Sequence, residues 1–430
     1  MNETGARPRQ STRDDRLGLM PDHAAGEPFL EPRRSIPRLV TVVWALLIVD
    51  TLGTQPVQTI VAIPRPLMQL ITIGTVGVAF LLAMVVNRRL QIRPSAYLLL
   101  LTLLLVASLP GSATLESGLG SIVRCLRFAL FISTLWLLTP WWNNALSLVR
   151  THIRLVGAVL ATVVLGLVIA PGLAMPAIDS GRLVGVIWPL TAPQVGQYSA
   201  TIAGLTFLLW LARMVNRRSA VVFALVPFGL LLLSHTRTAI IGLVAGLAVA
   251  VLSMSFTNAR ARRAVGAAIL GGGVLAVVLG PAIQVWMLRG QDQQNLSTFT
   301  GRAKVWDSLL AAPRTWLEQV FGSGLSNKSF NGLPIDNSWF AAYQEQGLVG
   351  VTLVALFLAV LLGVAVARPP SPARACALFL VVYAIAASYT EASLADASPM
   401  LLNLTLAAAL LSAANRVADG AVNHPQRTTK

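Results

Sequence analysis

Charge is what this sequence has least of: Asp, Glu, Lys and Arg together make 12% of its 430 residues, against 55% hydrophobic residues. A water-facing domain carries roughly 25% charged residues, so a soluble globule is excluded, and the mean hydropathy of +0.70 points the same way. Cysteine is nearly missing. Cys125 and Cys376 fall near opposite faces of the topology derived below, whereas a disulfide needs Cα atoms within about 7 Å, so both are expected to be unpaired structural thiols. No Asp-x-Asp pair lies in a segment expected to face outward, so no metal ligand set is evident and no cofactor is expected. The stretch to about Ser35 lacks the apolar core of a signal peptide and reads as a disordered tail. No repeat period shows itself, which weighs against a transporter built from inverted repeats.

What the sequence does have is apolar runs long enough to cross a bilayer, a task needing about 20 residues per helix. Spans are expected near 38–53, 67–86, 96–110, 122–139, 155–171, 196–212, 220–234, 238–257, 264–287, 339–367, 375–389 and 399–414. The expected fold is therefore an all-α integral membrane protein of about 12 transmembrane helices, with both termini cytoplasmic. Residues 1–36 form a cytoplasmic tail, 37–415 a polytopic membrane domain and 416–430 a second tail, with a long outward loop, 288–338, before the last three spans.

The net charge of +16 would suggest nucleic acid in a soluble protein. Here most basic residues fall in the segments that alternate to the inside, each predicted inner loop carrying at least two, as Arg88, Arg89 and Arg93 do. That is the positive-inside pattern of a cytoplasmic-membrane protein, and no nucleic-acid partner is expected. The exceptions are Arg65, Arg124, Arg127, Arg182, Arg237, Arg289, Arg302, Lys304, Arg314 and Lys328, which face outward or lie at outer helix ends. Within the longest outward loop, Val305, Trp306, Leu309 and Leu310, then Trp316, Leu317, Val320 and Phe321 after Pro313, have helical spacing. An amphipathic helix pair on the outer membrane surface fits this spacing as well as simple capping of the bundle does.

Four outward clusters follow in order. They are Gly181-Arg182-Leu183 with Gly185 and Pro193-Gln194-Val195-Gly196; Ser234-His235-Thr236-Arg237; Thr300-Gly301-Arg302 with Trp306 and Gly322-Ser323-Gly324; and Asp336-Asn337-Ser338-Trp339 with Glu345, Gly347 and Gly350. In this order and on this side they resemble the O-antigen ligase and O-antigen polymerase superfamily. The resemblance covers roughly Gly181 to Gly350 by motif and the whole chain by span count; the first third offers no comparable motif. It implies a glycosyltransferase that takes a glycan from a polyprenyl-diphosphate carrier on the extracytoplasmic face and passes it to an acceptor hydroxyl. The implied partners are the carrier-linked glycan, membrane lipids and, for a polymerase, a chain-length regulator.

The residue types suit that chemistry. A departing diphosphate needs fixed positive partners in a low-dielectric site, and the planar guanidinium binds phosphate oxygens two at a time without losing its charge. Arg182 and Arg237 match the family's phosphate-handling arginines, and Arg302 and Asn337 are further substrate-binding candidates. Arg124 and Arg127, at i and i+3, share a helix face; they are placed either on a second phosphate or, the reading preferred, at lipid headgroups. Ligases carry His-Asn, nine residues, then Gly-x-x-Gly. Here Asp336-Asn337 stands nine residues before Gly347 and Gly350. A carboxylate in the histidine's place can still act as general base, and it tilts the reading from ligase to polymerase; the plainer role for Asp336 is to cap the helix beginning near Ser338.

His235 reads as a turn residue before it reads as a base. Glu345 either binds substrate or pairs with an arginine, and Glu391 and Asp396 could orient arginines or line an acceptor groove. Asp50 is expected at the membrane interface, and Gly347 and Gly350 are expected to let helices pack closely. The rival of a different class is a lipid-linked glycan flippase, which would also need to bind its headgroup from the inner side.

Overall fold

The computed structural model describes residues 36–52, 57–62, 64–113, 118–177, 180–268 and 302–413. Apart from Ile36, the expected tail at the N-terminus lies outside these residues, as do the C-terminal tail, most of the expected span 264–287, Arg289 and the Thr300-Gly301 pair. The first nine helices are α1 Arg38–Thr51, α2 Arg65–Val86, α3 Ala96–Ala113, α4 Leu119–Leu138, α5 Ala145–Ile169, the single turn α6 Pro171–Ala174, α7 Ala192–Leu211, α8 Arg217–Leu233 and α9 Arg237–Ser255. Helical backbone, α10, follows from 259 to 268. Then come α11 Arg302–Ala311, α12 Trp316–Phe321, α13 Ser338–Ala367, α14 Pro372–Ala387 and α15 Pro399–Ala413. A hairpin of two short strands, β1 Ser329–Phe330 and β2 Leu333–Pro334, sits before α13, with Ser329 opposite Pro334.

Each expected span that lies wholly within the described residues coincides with a helix. Among the described residues six helices are long and apolar enough to cross a membrane, namely α2 to α5, α9 and α13, and α14 and α15 are apolar but shorter. The chain is an all-α, multi-pass membrane protein. The largest displacement is in α5, expected from 155 and found from Ala145. Arg150, His152 and Arg154 interrupt its apolar run but not its backbone hydrogen bonding.

Close packing inside the bundle rests on small residues, which let backbones approach where no water drives helices together. Phe379 of α14 wedges between α7 and α9. A Cβ at Gly204 would lie 2.1 Å from its Cζ, and one at Gly246 2.8 Å from its Cδ2. One turn on, Tyr383 fills the space left by Gly242. α2 and α8 do the opposite, presenting Leu70, Leu81, Val222 and Leu225 outward; apolar side chains exposed along a membrane helix are its lipid-facing stripe.

α13 is broken. Gly347 has φ +63° and ψ −159°, so the helix stops and restarts there. The loop after α12 is inserted at the break: Ser323 N–H donates to the Gln344 carbonyl (2.9 Å) and Gly324 N–H to that of Glu345 (3.1 Å). These are carbonyls a break leaves without intrahelical donors. A Cβ at Gly347 would fall 2.4 Å from the Val320 carbonyl, and one at Gly322 2.3 Å from Gln346 N. Gly111 of α3 closes the stack, 2.5 Å from the Gly322 oxygen by the same construction. The expectation that Gly347 and Gly350 serve helix–helix packing is therefore corrected. Gly347 admits a loop into a helix break, and Gly350 makes room for the Gln346 side chain of its own helix.

Candidate functional site

The first two sequence clusters form one wall. Gly181 takes φ +66° and turns the chain so that Leu183 N–H reaches the Leu233 carbonyl (3.0 Å) and Arg182 Nε donates to the Ser234 carbonyl (3.2 Å). His235 adopts φ +48°, making the tight turn between α8 and α9. Thr236 Oγ1 donates to the Ala192 carbonyl at 3.0 Å, which draws the turn onto the start of α7. That approach is possible because residue 196 is glycine: a Cβ there would lie 2.6 Å from Thr236 Cβ. Arg237 opens α9, and its Nε and Nη2 are buried with no hydrogen-bond acceptor. A guanidinium cannot shed its proton to escape burial, and buried donors without acceptors are rare. These two N–H groups are ready for an anion.

The other wall comes from the segments around Asp336 and Glu391. α11 packs Leu309 against Ile335 and Ala341, and Trp306 Nε1 donates to the Ile335 carbonyl at 2.7 Å. Thus the expected apolar stripe of the first loop helix is real for Val305 and Leu309, while Leu310 is exposed. The second, α12, buries no residue and leaves Trp316 exposed. Pinned by Trp306, Asp336 takes φ +43°, and its Oδ2 accepts from Arg302 Nε at 3.1 Å.

Asn337, not Asp336, caps α13. Its Oδ1 accepts from Trp339 N (2.9 Å) and Phe340 N (3.1 Å), and its Nδ2 donates to the Tyr389 carbonyl (3.0 Å). The substrate-binding role expected for Asn337 is corrected accordingly, because its amide is spent on the cap and on the 388–398 turn. The same bonds bring in Glu391, whose carbonyl also accepts from Ser338 Oγ. Burial, and secondarily the Asp336 carboxylate, push the Glu391 carboxyl from its ordinary 4.5 up to about 8, against the opposing pull of Arg302 and Arg182. Arg182, Arg302, Asp336 and Glu391 are thus one electrostatic unit, with Arg237 on the turn that Arg182 braces.

The remaining candidates sit elsewhere. Glu345 is fully buried, and its Oε1 accepts from Ser326 N (2.8 Å), Ser326 Oγ (3.0 Å) and Lys328 N (3.2 Å). It organises the loop before β1. Arg124 reaches the same loop, bonding the Ser326 carbonyl (2.6 Å) and Asn327. Arg127 pairs with Asp50, Nε to Oδ1 at 2.7 Å, and Asp50 is fully buried rather than interfacial. Asp396 pairs with Lys328 and acts electrostatically on Arg127. The sequence held no signal for these partnerships, which join residues up to 203 positions apart.

Among the described residues no three His, Cys, Asp or Glu side chains lie together in a way that could hold a metal ion. What the site offers is guanidinium groups and two carboxyls, Asp336 paired with Arg302 and Glu391 raised by burial. No protein-family model matches the sequence, and a comparison with curated proteins finds no match.

Proposed function

We propose that the protein polymerises polyprenyl-diphosphate-linked oligosaccharide repeat units into a cell-surface polysaccharide, at a site on the extracytoplasmic face of the cytoplasmic membrane. The observation that carries the proposal is the convergence of Arg182, Arg302, Asp336 and Glu391 beside Arg237, whose buried N–H donors have no acceptor. In the reaction an acceptor sugar hydroxyl of one carrier-linked unit attacks the anomeric carbon of another. Asp336 takes the hydroxyl proton as the new C–O bond forms, and the bond to the carrier diphosphate breaks with its electron pair leaving on the phosphate oxygen. Arg182 and Arg237 receive that developing charge, which fixed cations in a dry site stabilise better than water does. Arg302 orients the Asp336 carboxylate.

A second reading, a ligase that transfers finished glycan to a lipid or protein acceptor, uses the same leaving-group site and differs in the acceptor. The aspartate at 336, where ligases carry histidine, favours the polymerase. Deleting the gene and analysing carrier-linked glycans separates the cases. Single repeat units stranded on the carrier support the polymerase, long polymer on the carrier the ligase, and substrate held on the cytoplasmic face a flippase.

A further inference from the structure

A second group of charges lies away from this site. Asp396 stands at its centre: Lys328 pairs with it, and it acts electrostatically on Asp50, Arg127 and Glu345. Five elements contribute: the end of α1, α4, the loop before β1, α13 and the 388–398 turn. Asp50 and Glu345 are fully buried, and each keeps one carboxyl oxygen, Oδ2 and Oε2, with no hydrogen-bond partner. The side chains of Lys328, Asp396 and Arg127 are 19%, 15% and 23% exposed.

The formal charges do not cancel. Three carboxylates face two cations, and an uncompensated charge away from water is costly enough that the group neutralises instead. Nothing else described supplies the missing positive charge. On the α4 side the Cys125 thiol faces Glu345 and donates to Ser112, while Arg124 is turned to Ser326 and Asn327. From α3, Ser112 and Ser108 are the polar groups nearest, bonding Leu325 N and Gln346. A metal cation would need several oxygens converging on it, and among the described residues no three His, Cys, Asp or Glu side chains are grouped to hold one.

We propose that Asp50, Arg127, Lys328, Glu345 and Asp396 form a buried site that binds one proton, held on a carboxyl of Asp50 or Glu345. The proposal stands apart from the glycan reading. The bound proton completes the charge balance that holds the loop before β1 and the 388–398 turn in place, and Glu391 rides on that turn.

The test is infrared difference spectroscopy on the full chain in nanodiscs at neutral pH, in a Glu391→Gln background that removes the raised Glu391 carboxyl. The expected result is a carboxylic-acid C=O stretch, which an ionised carboxylate lacks, that shifts slowly in D₂O. Removing it with either Glu345→Gln or Asp50→Asn would identify the carrier of the proton. Both are neutral isosteres of the protonated form, so the protein should stay folded by size-exclusion profile. Lys328→Met removes one positive charge and should add a second protonated carboxyl. The proposal is overturned if the band is absent, or if it survives in the Asp50→Asn/Glu345→Gln double variant. It is equally overturned if the band appears only after sodium is replaced by choline, since the cation would then be a metal.

Discussion

Two ionic clusters share the 388–398 turn, and they differ in how completely they satisfy themselves. The Arg302–Asp336 pair is 29% and 38% exposed, and the neighbouring Arg237 has donors to spare. In the cluster around Asp396, Glu345 Oε1 alone takes three hydrogen bonds, Arg127 bonds both the side chain and the backbone of Asp50, and only one charge is left over. A charge cluster that closes on itself fixes architecture. One that keeps unpaired donors, as at Arg237 Nε and Nη2, has hydrogen-bonding capacity left over. The distinction could not be drawn from residue type, since arginines and carboxylates occur in both.

The largest effect expected is at Asp336. If the open cluster is catalytic, Asp336→Asn should cost about 10²–10⁴ in polymer formation, the usual worth of general-base assistance, at unchanged protein level. Because Asn337 supplies the cap, loss of activity cannot be ascribed to a lost helix start. Normal polymer from Asp336→Asn would return the base to Glu391 or His235.

Arg237→Ala comes next. Loss of a charge-assisted hydrogen bond is worth about 1.5–3 kcal/mol, or about 10- to 150-fold in turnover, and Arg237→Lys should recover only part of it because the two-point geometry is gone. Full activity in Arg237→Ala, measured per amount of membrane-inserted protein, would close the open cluster on paper as well.

Glu391 sets a pH signature. Its folded-state value of about 8 lies above the ordinary 4.5, so the native protein holds a proton there that the unfolded chain has lost. Its contribution to stability is full below pH 4.5, declines as pH rises toward 8 and is gone above it. Thermal unfolding in detergent across that window should show the decline, and Glu391→Gln should flatten it; an unaltered slope in the variant assigns the pH dependence to other groups.

The smallest effect belongs to the cap. Asn337→Ala should destabilise by about 1 kcal/mol, whereas Asn337→Asp, which caps as well, should lose only the bond to the Tyr389 carbonyl. A melting temperature equal to wild type in Asn337→Ala would mean that the amide is not needed to anchor the turn.

The helices were legible because a lipid-facing or bundle-facing span must be apolar along its whole length, and that leaves a trace in composition. The turns at Gly181-Arg182 and Ser234–Arg237 were legible because an arginine inside an apolar run is costly. Which of Asp336 and Asn337 caps α13 was not, since both residue types accept from helix N–H groups equally well, and only the φ of +43° at Asp336 removes it from the capping position. The burial of Asp50 was hidden for another reason. Near the end of an apolar run an acid can meet headgroups or a partner, and its partner, Arg127, lies three helices later. The break at Gly347 was hidden because glycine in a span serves packing, breaks and close contacts alike.

That break also bears on thickness. Unbroken, 30 residues of α13 would reach about 45 Å at 1.5 Å per residue, well beyond a hydrocarbon layer of about 30 Å. Cut at Gly347, the stretch from 348 to 367 is about 30 Å long and matches the bilayer without the tilt or local thickening that a longer rod would demand. The segment before the break is then released from the job of spanning. Tied sideways to the loop at 322–324, it is positioned by the protein's own hydrogen bonds.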